Sequence, residues 1–525
     1  MATADGSCRY RESAKGLSGY RDWEAKVFAE YRQAGGFDEY FCADGQVRPG
    51  LAPLLDLLEA IPEATLRQHH GRAAQLLLRQ GATFRLNSSS ADVGERILPF
   101  DPLPRLILAP EWDQLERGLK QRIEAIDRFL ADVYSRQQIL VDGVIPREEV
   151  ESSQGWRPQM LNLAPPRGRW CHISGLDLVR DGAGTWRVLE DNLRCPSGVS
   201  YHLENRKVMK RTLPGLFASV RVRSTEGYAS QLLAALRSLA PWSAQPKVVL
   251  LTPGVYNSAY FEHSYLATQM GIELVEGRDL RCDDGRVWMR TTRGLEPVDV
   301  IYRRIDDDFL DPAVFRADSM LGVPGLMEAY ANGRVAIANA PGTGVADDKL
   351  IYTYVPEMIR YYLGEEPIID NVPTFRCGLE NEREHVLAHL DQLVVKAVSE
   401  AGGYGMLIGP SSSPAQREEF AEKIRANPRN YIAQPTLALS TVPSLLEDGL
   451  AACHVDLRPY VVRGQDTWIT PGGLTRVALR RGSLVVNSSQ GGGSKDTWII
   501  ETPTHGSAAA APSAGDAAKR EMSRC

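Results

Sequence analysis

Apolar positions along the chain change period several times, and each change marks a different kind of element. Leu115, Leu119, Ile123, Ile126, Leu130 and Val133 recur at three- and four-residue steps with Arg and Glu between them. That spacing predicts an amphipathic helix whose apolar stripe packs into a core. Residues 17–150 as a whole read mostly as helix. Gly81-Ala82-Thr83-Phe84 and Pro99-Phe100-Asp101-Pro102-Leu103-Pro104 read as structured loops. Beyond them Trp170–Val179 and Thr185–Leu189 read as two strands joined by the turn Asp181-Gly182-Ala183-Gly184.

From Lys247 the pattern alternates. Lys247–Leu251, Ile272–Val275 and Val298–Tyr302 read as strands, with a helix around Ala259–Met270. Such alternation predicts a small open α/β domain whose ligands sit at the carboxyl ends of the strands. A helix beginning near Lys349 carries Leu350, Tyr354, Met358 and Tyr361/Tyr362 on one face. Leu393, Val394 and Val395 form a short buried strand that delivers Lys396. A turn with Gly402, Gly403 and Gly405 follows, then the apolar run Met406–Ile408. Asn430–Ala433 leads to Gln434, and His454–Tyr460 alternates Asp456 and Arg458 with apolar residues. The first 16 residues and those from Thr504 onward have the composition of disordered segments.

Bulk properties narrow the classes. A chain of 525 residues can bury a large core and is expected to divide into roughly two to four domains. A formal net charge of −6 argues against a general nucleic-acid binder. Eight cysteines, scattered with no CxxC pair, favour reduced thiols over a disulfide framework or zinc site. The N-terminal residues lack the apolar core of a signal peptide, and no apolar run approaches the ~18 residues needed to cross a bilayer. The expectation is a soluble cytoplasmic protein with no membrane partner.

Candidate chemistry lies at the strand ends. Glycines let backbone N–H groups approach an anion, and Lys396 adds a point charge, which suits nucleotide phosphates. A hairpin with glycines at its turn has the same pattern. Asp177, Glu190 and Asn192 on one hairpin form a set of hard oxygen ligands suited to Mg²⁺; a solvated strand end looks alike. Arg303 and Arg304 could clamp a carboxylate or phosphate, and Asp306, Asp307 and Asp308 could cap a helix or ligate metal. Arg194, Ser197, His202, Asn205, Arg206, Lys210 and Arg211 form a basic, polar run that could hold an anionic substrate or coat a solvated helix. Lys349 opens a helix, where the dipole favours anions, which suggests a phosphate partner or a surface lysine.

Taken together these segments carry a resemblance. LEDN at 189–192 with SGVSY and LENR, VYNSAYFEHSYLA from 255, YRRIDDDFLDP from 302, ANAPGTGVADDK from 338, VVK…GGYGMLIGP, AQPTLALSTVP, HVDLRP, PGGLTRVALR and VVNSSQGGGSKDTW stand in the order found in the circularly permuted ATP-grasp family. The family is similar in its catalytic fold to glutathionylspermidine synthase. Glu190 and Asn192 precede Lys349 and Lys396, as a permuted order implies. The resemblance implies an α/β (α+β) fold in which Lys349 and Lys396 hold ATP phosphates, Gly402, Gly403 and Gly405 close over them, and Gln434 borders the adenine. It further implies Mg²⁺ on Asp177, Glu190 and Asn192, with Arg303, Arg304 and Arg458 as candidates to stabilise transferred phosphoryl or substrate carboxylate. Ala397 stands where the family usually has proline, and Cys195 where it commonly has threonine.

The implied division is a disordered N-terminus (1–16), a mostly helical region (17–150), a permuted ATP-grasp segment with the metal ligands (151–235), a small α/β pre-ATP-grasp domain (236–345), the nucleotide-binding domain (346–503) and a disordered tail (504–525). The implied activity is an ADP-forming ligase joining a small-molecule or peptide carboxylate to an amine through an acyl phosphate. A nucleotide-binding partner subunit without turnover and an ATP-grasp phosphotransferase are the alternatives. Such chemistry needs little covalent help from the protein, so no Ser/His/Asp or Cys/His set is required.

Overall fold

A computed structural model describes residues 27–84, 96–400, 405–483, 486 and 492–501. Gly402 and Gly403, both terminal segments and most of the 484–491 run lie outside the described residues.

Two β-sheets position the site. Among the described residues the larger has nine strands, and its central strand pairs join segments far apart in sequence. Ile173–Arg180 lies between Tyr460–Arg463 and Gly449–Arg458; the path continues through Leu474–Val477 and Gly493–Ile500 to Phe100–Leu108. All neighbours on that path are antiparallel except Gly493–Ile500 and Phe100–Leu108, which run parallel. Trp186–Asn192 pairs with Ile173–Arg180, and Thr441–Leu446 with Gly449–Arg458. The smaller sheet is antiparallel, with Phe375–Arg376, Tyr431–Pro435, Leu393–Ala397 and Met406–Ile408 in that spatial order.

The stretch Pro99–Pro104, expected as a loop, is strand from Phe100 onward. Its prolines deprive it of two N–H donors, which a strand tolerates at a sheet edge. Phe100–Leu108 ends the path of the large sheet, and Lys495 anchors it there through the Asp101 carboxylate at 2.7 Å.

The helix predicted from the 115–133 stripe runs from Ala109 to Val133, and all six stripe residues are buried. It packs on the core shared by the large sheet and the helix Val355–Leu363. The smaller sheet has a core of its own, in which Val395, Leu407 and Ala433 meet Val386 and Leu390 from one side and Ala421 and Ile424 of the helix Pro414–Ala426. A third unit is the four-stranded parallel sheet Ala336–Ala338, Val300–Arg303, Val248–Leu251 and Glu273–Val275, with the helix Tyr260–Met270 between two of its strands in sequence. The expected alternation from Lys247 onward is therefore present. No helix among the described residues is long and apolar enough to cross a membrane.

Candidate nucleotide and metal site

The hairpin Ile173–Arg180/Trp186–Asn192 places Asp177 opposite Glu190 and Gly175 opposite Asn192. Strand alternation then sorts the acidic tail of the second strand. Asp191 points into the core, where Arg122 grips both its oxygens at 2.7 and 2.6 Å. Glu190 and Asn192 emerge on the other face, half-buried, with the Asn192 amide 3.4 Å from Glu190 Oε1.

Asp177 is buried and fully engaged. Arg458 donates to its two oxygens at 2.5 and 2.7 Å, and Arg476 adds a third contact at 2.6 Å. Burial alone would raise the Asp177 pKa, but the two guanidiniums more than offset it and hold the carboxyl well below the usual range. Arg476 also grips Asp456, the residue directly across the strand pair, at 2.5–3.0 Å. Burial dominates at Asp456 and pushes it up. Gly175 makes room for this arrangement: a Cβ there would lie 3.4 Å from Arg458 Cδ and 3.1 Å from Pro196 Cβ.

Two lysines approach the hairpin. Lys349 stands at the first position of the short helix Lys349–Tyr352, whose N-cap Asp348 accepts from the Leu350 N–H at 2.8 Å. Its Nζ lies 3.7 Å from Glu190 Oε2 and donates to the Glu400 carbonyl at 2.5 Å. Lys396 comes from the smaller sheet and donates to Gln434 Oε1 at 2.8 Å, while the Gln434 amide donates to Thr374 at 3.0 Å. Gln434 sits opposite Val394, two residues along from Lys396, so alternation puts both side chains on one face. Burial pushes the Lys396 ammonium down to about 8; Glu190 counters it and Lys349 adds to it. Gly405 adopts a φ of +63°, and its carbonyl accepts from the N–H of Ala397, the residue after the lysine, at 3.2 Å.

The donor set fits Mg²⁺ in part. Glu190 is one-quarter exposed, and the cations near it stand off at 3.6 and 3.7 Å. Its carboxylate and the Asn192 amide oxygen are hard donors with lone pairs to spare. Asp177 differs, because both its oxygens already accept from arginine. Among the described residues no group of three or more His, Cys, Asp and Glu side chains is arranged to hold a metal ion.

Arg303 and Arg304 sit at the carboxyl end of a parallel strand, as expected, but both are buried. Arg303 donates to the Asn339 and Ile305 carbonyls at 2.8 and 2.9 Å and pairs with Asp307 at 2.8 Å. Arg304 donates to the Pro196 carbonyl at 2.6 Å and to Glu262 at 2.8 Å. Among the described residues no hydrogen bond or ion pair joins either arginine to Glu190, Asn192, Lys349 or Lys396. The neighbouring aspartates do not cap with their side chains: Asp307 accepts from the Gly342 N–H at 3.0 Å, and Asp308 pairs with Arg157 at 2.8 Å. The sequence carries a signal for Arg476 as well: like Arg458, it sets a guanidinium among mostly apolar strand residues.

The family model described as circularly permuted ATP-grasp type 2 matches residues 104–478. An uncharacterised protein of Synechocystis sp. is 60% identical over 470 residues, covering 89% of this chain and 98% of that protein. A Frankia casuarinae protein whose name proposes a glutamate–cysteine ligase is 44% identical over 481 residues, and the match spans 91% of this chain but only 55% of that protein. Among solved structures, a glutathione synthetase-like effector from Globodera pallida superposes with a TM-score of 0.53 at 12% identity, over 84% of this chain and 98% of that one. At that identity the likeness speaks for the fold alone. The matched span and the close relatives establish that this chain belongs to the circularly permuted ATP-grasp family, type 2.

Proposed function

We propose that the protein is an ATP-dependent carboxylate–amine ligase that works through an acyl phosphate and releases ADP and phosphate. The observation that carries this reading is Lys349 standing 3.7 Å from Glu190 on the hairpin face that also presents Asn192, with Lys396, delivered by the separate smaller sheet, within electrostatic reach of both Glu190 and Lys349. Two ammonium groups beside hard oxygen donors match the needs of a polyphosphate with its divalent cation.

Lys349 and Lys396 would hold the phosphates, and Gln434, hydrogen-bonded to Lys396, would border the base. Gly405, with Gly402 and Gly403, would shape the loop over the phosphates. Glu190 and Asn192 would hold Mg²⁺, which supplies charge neutralisation on the transferring phosphoryl group. Asp177 would serve chiefly to fix Arg458, whose guanidinium stands 3.6 Å from Glu190 and faces the site at its edge. There it can balance charge on a substrate carboxylate as that group attacks the γ-phosphate. An amine then displaces phosphate from the acyl phosphate. Arg303 and Arg304 brace the loops behind the hairpin.

The test is single-turnover ADP release with a substrate pool. Lys396→Ala is expected to weaken MgATP binding by roughly ten- to a hundredfold, the worth of losing one or two charge-assisted contacts. Unchanged affinity would count against the reading.

A further inference from the structure

Resting on the ligase reading, we infer that one of the two substrates is a free α-amino acid and that Arg194, Asp347 and Asp306 form its subsite. Arg194 follows the metal-binding hairpin directly, two residues after Asn192. Its backbone is pinned, because the Asn339 amide donates to the Leu193 carbonyl at 2.5 Å and to that of Arg194 at 3.3 Å. The side chain lies along Gly344, where a Cβ would come within 3.2 Å of Arg194 Cδ.

The guanidinium is under-used. It reaches Asp347 at 3.3 Å and Asp306 at 3.4 Å, both longer than the roughly 2.7–2.9 Å of a strong charge-assisted hydrogen bond. Its side chain is 35% exposed, whereas Arg303 and Arg304 are buried among carbonyl and carboxylate partners, and Arg458 and Arg476 are locked on Asp177. Asp347 is fixed by the Leu193 N–H at 2.6 Å, and Asp306 is half exposed. Burial raises the Asp347 carboxyl to about 6, with Arg194 acting against it.

A guanidinium with a carboxylate on either side, one loosely held, is complementary to a zwitterion. The α-carboxylate takes the fork of Arg194, and the α-ammonium takes Asp347 and Asp306. The location suits a reactant: Asp347 is two residues from Lys349, and Leu193, which holds Asp347, is next to Asn192. A capped peptide or a polyamine lacks the paired charges.

Saturation-transfer NMR tests this with the wild-type chain, Mg²⁺ and a non-hydrolysable ATP analogue, using the common α-amino acids, their α-amides and their N-acetyl forms as probes. At least one free amino acid is expected to bind, and its amide and N-acetyl derivatives to bind at least roughly tenfold more weakly. Arg194→Gln is expected to weaken that amino acid by a similar factor, with partial rescue in Arg194→Lys, and to leave analogue affinity within about twofold. Asp306→Asn, at a half-exposed position, gives a second reading without risk to folding and is expected to weaken the amino acid as well. Equal binding of free and blocked forms would overturn the subsite, as would unchanged affinity in both variants or no amino-acid binding by protein that holds the analogue. Failure to bind the analogue at all would instead overturn the ligase reading and the subsite with it.

Discussion

As a holder of ATP phosphates, the role proposed for it, Lys396 would couple nucleotide binding to pH. Its folded pKa is depressed to about 8, from an unfolded value near 10.5. Between those values the unfolded chain holds a proton that the folded chain has released, so stability from this group rises with pH across that window. Phosphate binding runs the other way, because it needs the ammonium. MgATP affinity is therefore predicted to fall as pH rises above about 8 and binding there to take up a proton, measurable by calorimetry in buffers of different ionisation enthalpy. Lys396→Arg, which stays charged, is expected to abolish that uptake. The acidic residues divide in the same way. Glu190→Gln is expected to fold normally and lose Mg²⁺-dependent turnover. Asp177→Asn is expected to destabilise the fold by about 3–5 kcal/mol, because it takes the carboxylate partner from the largely buried Arg458 and leaves Arg476 with Asp456 alone, and chemical denaturation separates the two cases.

Much of the site was legible at the scale of elements, and the reasons are specific. Period-two alternation placed Glu190 and Asn192 on one face and Asp191 on the other, and a strand followed by glycines placed Lys396 beside a turn. What the sequence could not reveal was partnership across the sheet. Asp177 looks like a free ligand until Arg458 and Arg476, some 280 and 300 residues later, are seen to fill both its oxygens. Arg303 and Arg304 look available until the carbonyls of Asn339, Ile305 and Pro196 are found against them. Phe100–Leu108 was missed because proline argues against a strand wherever the edge position is unknown.

Close backbone contacts at this scale make a further prediction. A Cβ on Gly155 would fall 2.2 Å from the Gly344 carbonyl, on the turn that leads to Asp347 and Lys349. Gly155→Ala is expected to displace that turn, lowering the melting temperature by about 1–3 °C and weakening MgATP, since an overpacked contact typically costs about 1–3 kcal/mol. A melting curve with and without nucleotide checks it.

At the scale of the whole molecule, the permuted order means that the hairpin with Glu190 and Asn192 is made before the lysines that complete the site. The smaller sheet has its own core, and the segment that leads into it is tied to the large sheet by backbone hydrogen bonds between Val188 and both Asp370 and Val372. MgATP bridging both is expected to stabilise the fold by about 2.7 kcal/mol at a hundredfold excess over Kd, an increment that Lys396→Ala is expected to cut to about 0.4–1.4 kcal/mol at the same concentration.

The most direct test of the central claim is phosphorus NMR of the protein with MgATP and a pool of amino acids, small peptides and polyamines. Carboxylate activation through an acyl phosphate predicts ADP and inorganic phosphate, formed only when the pool is present. AMP and pyrophosphate would mean that the carboxylate is adenylated, and would contradict it.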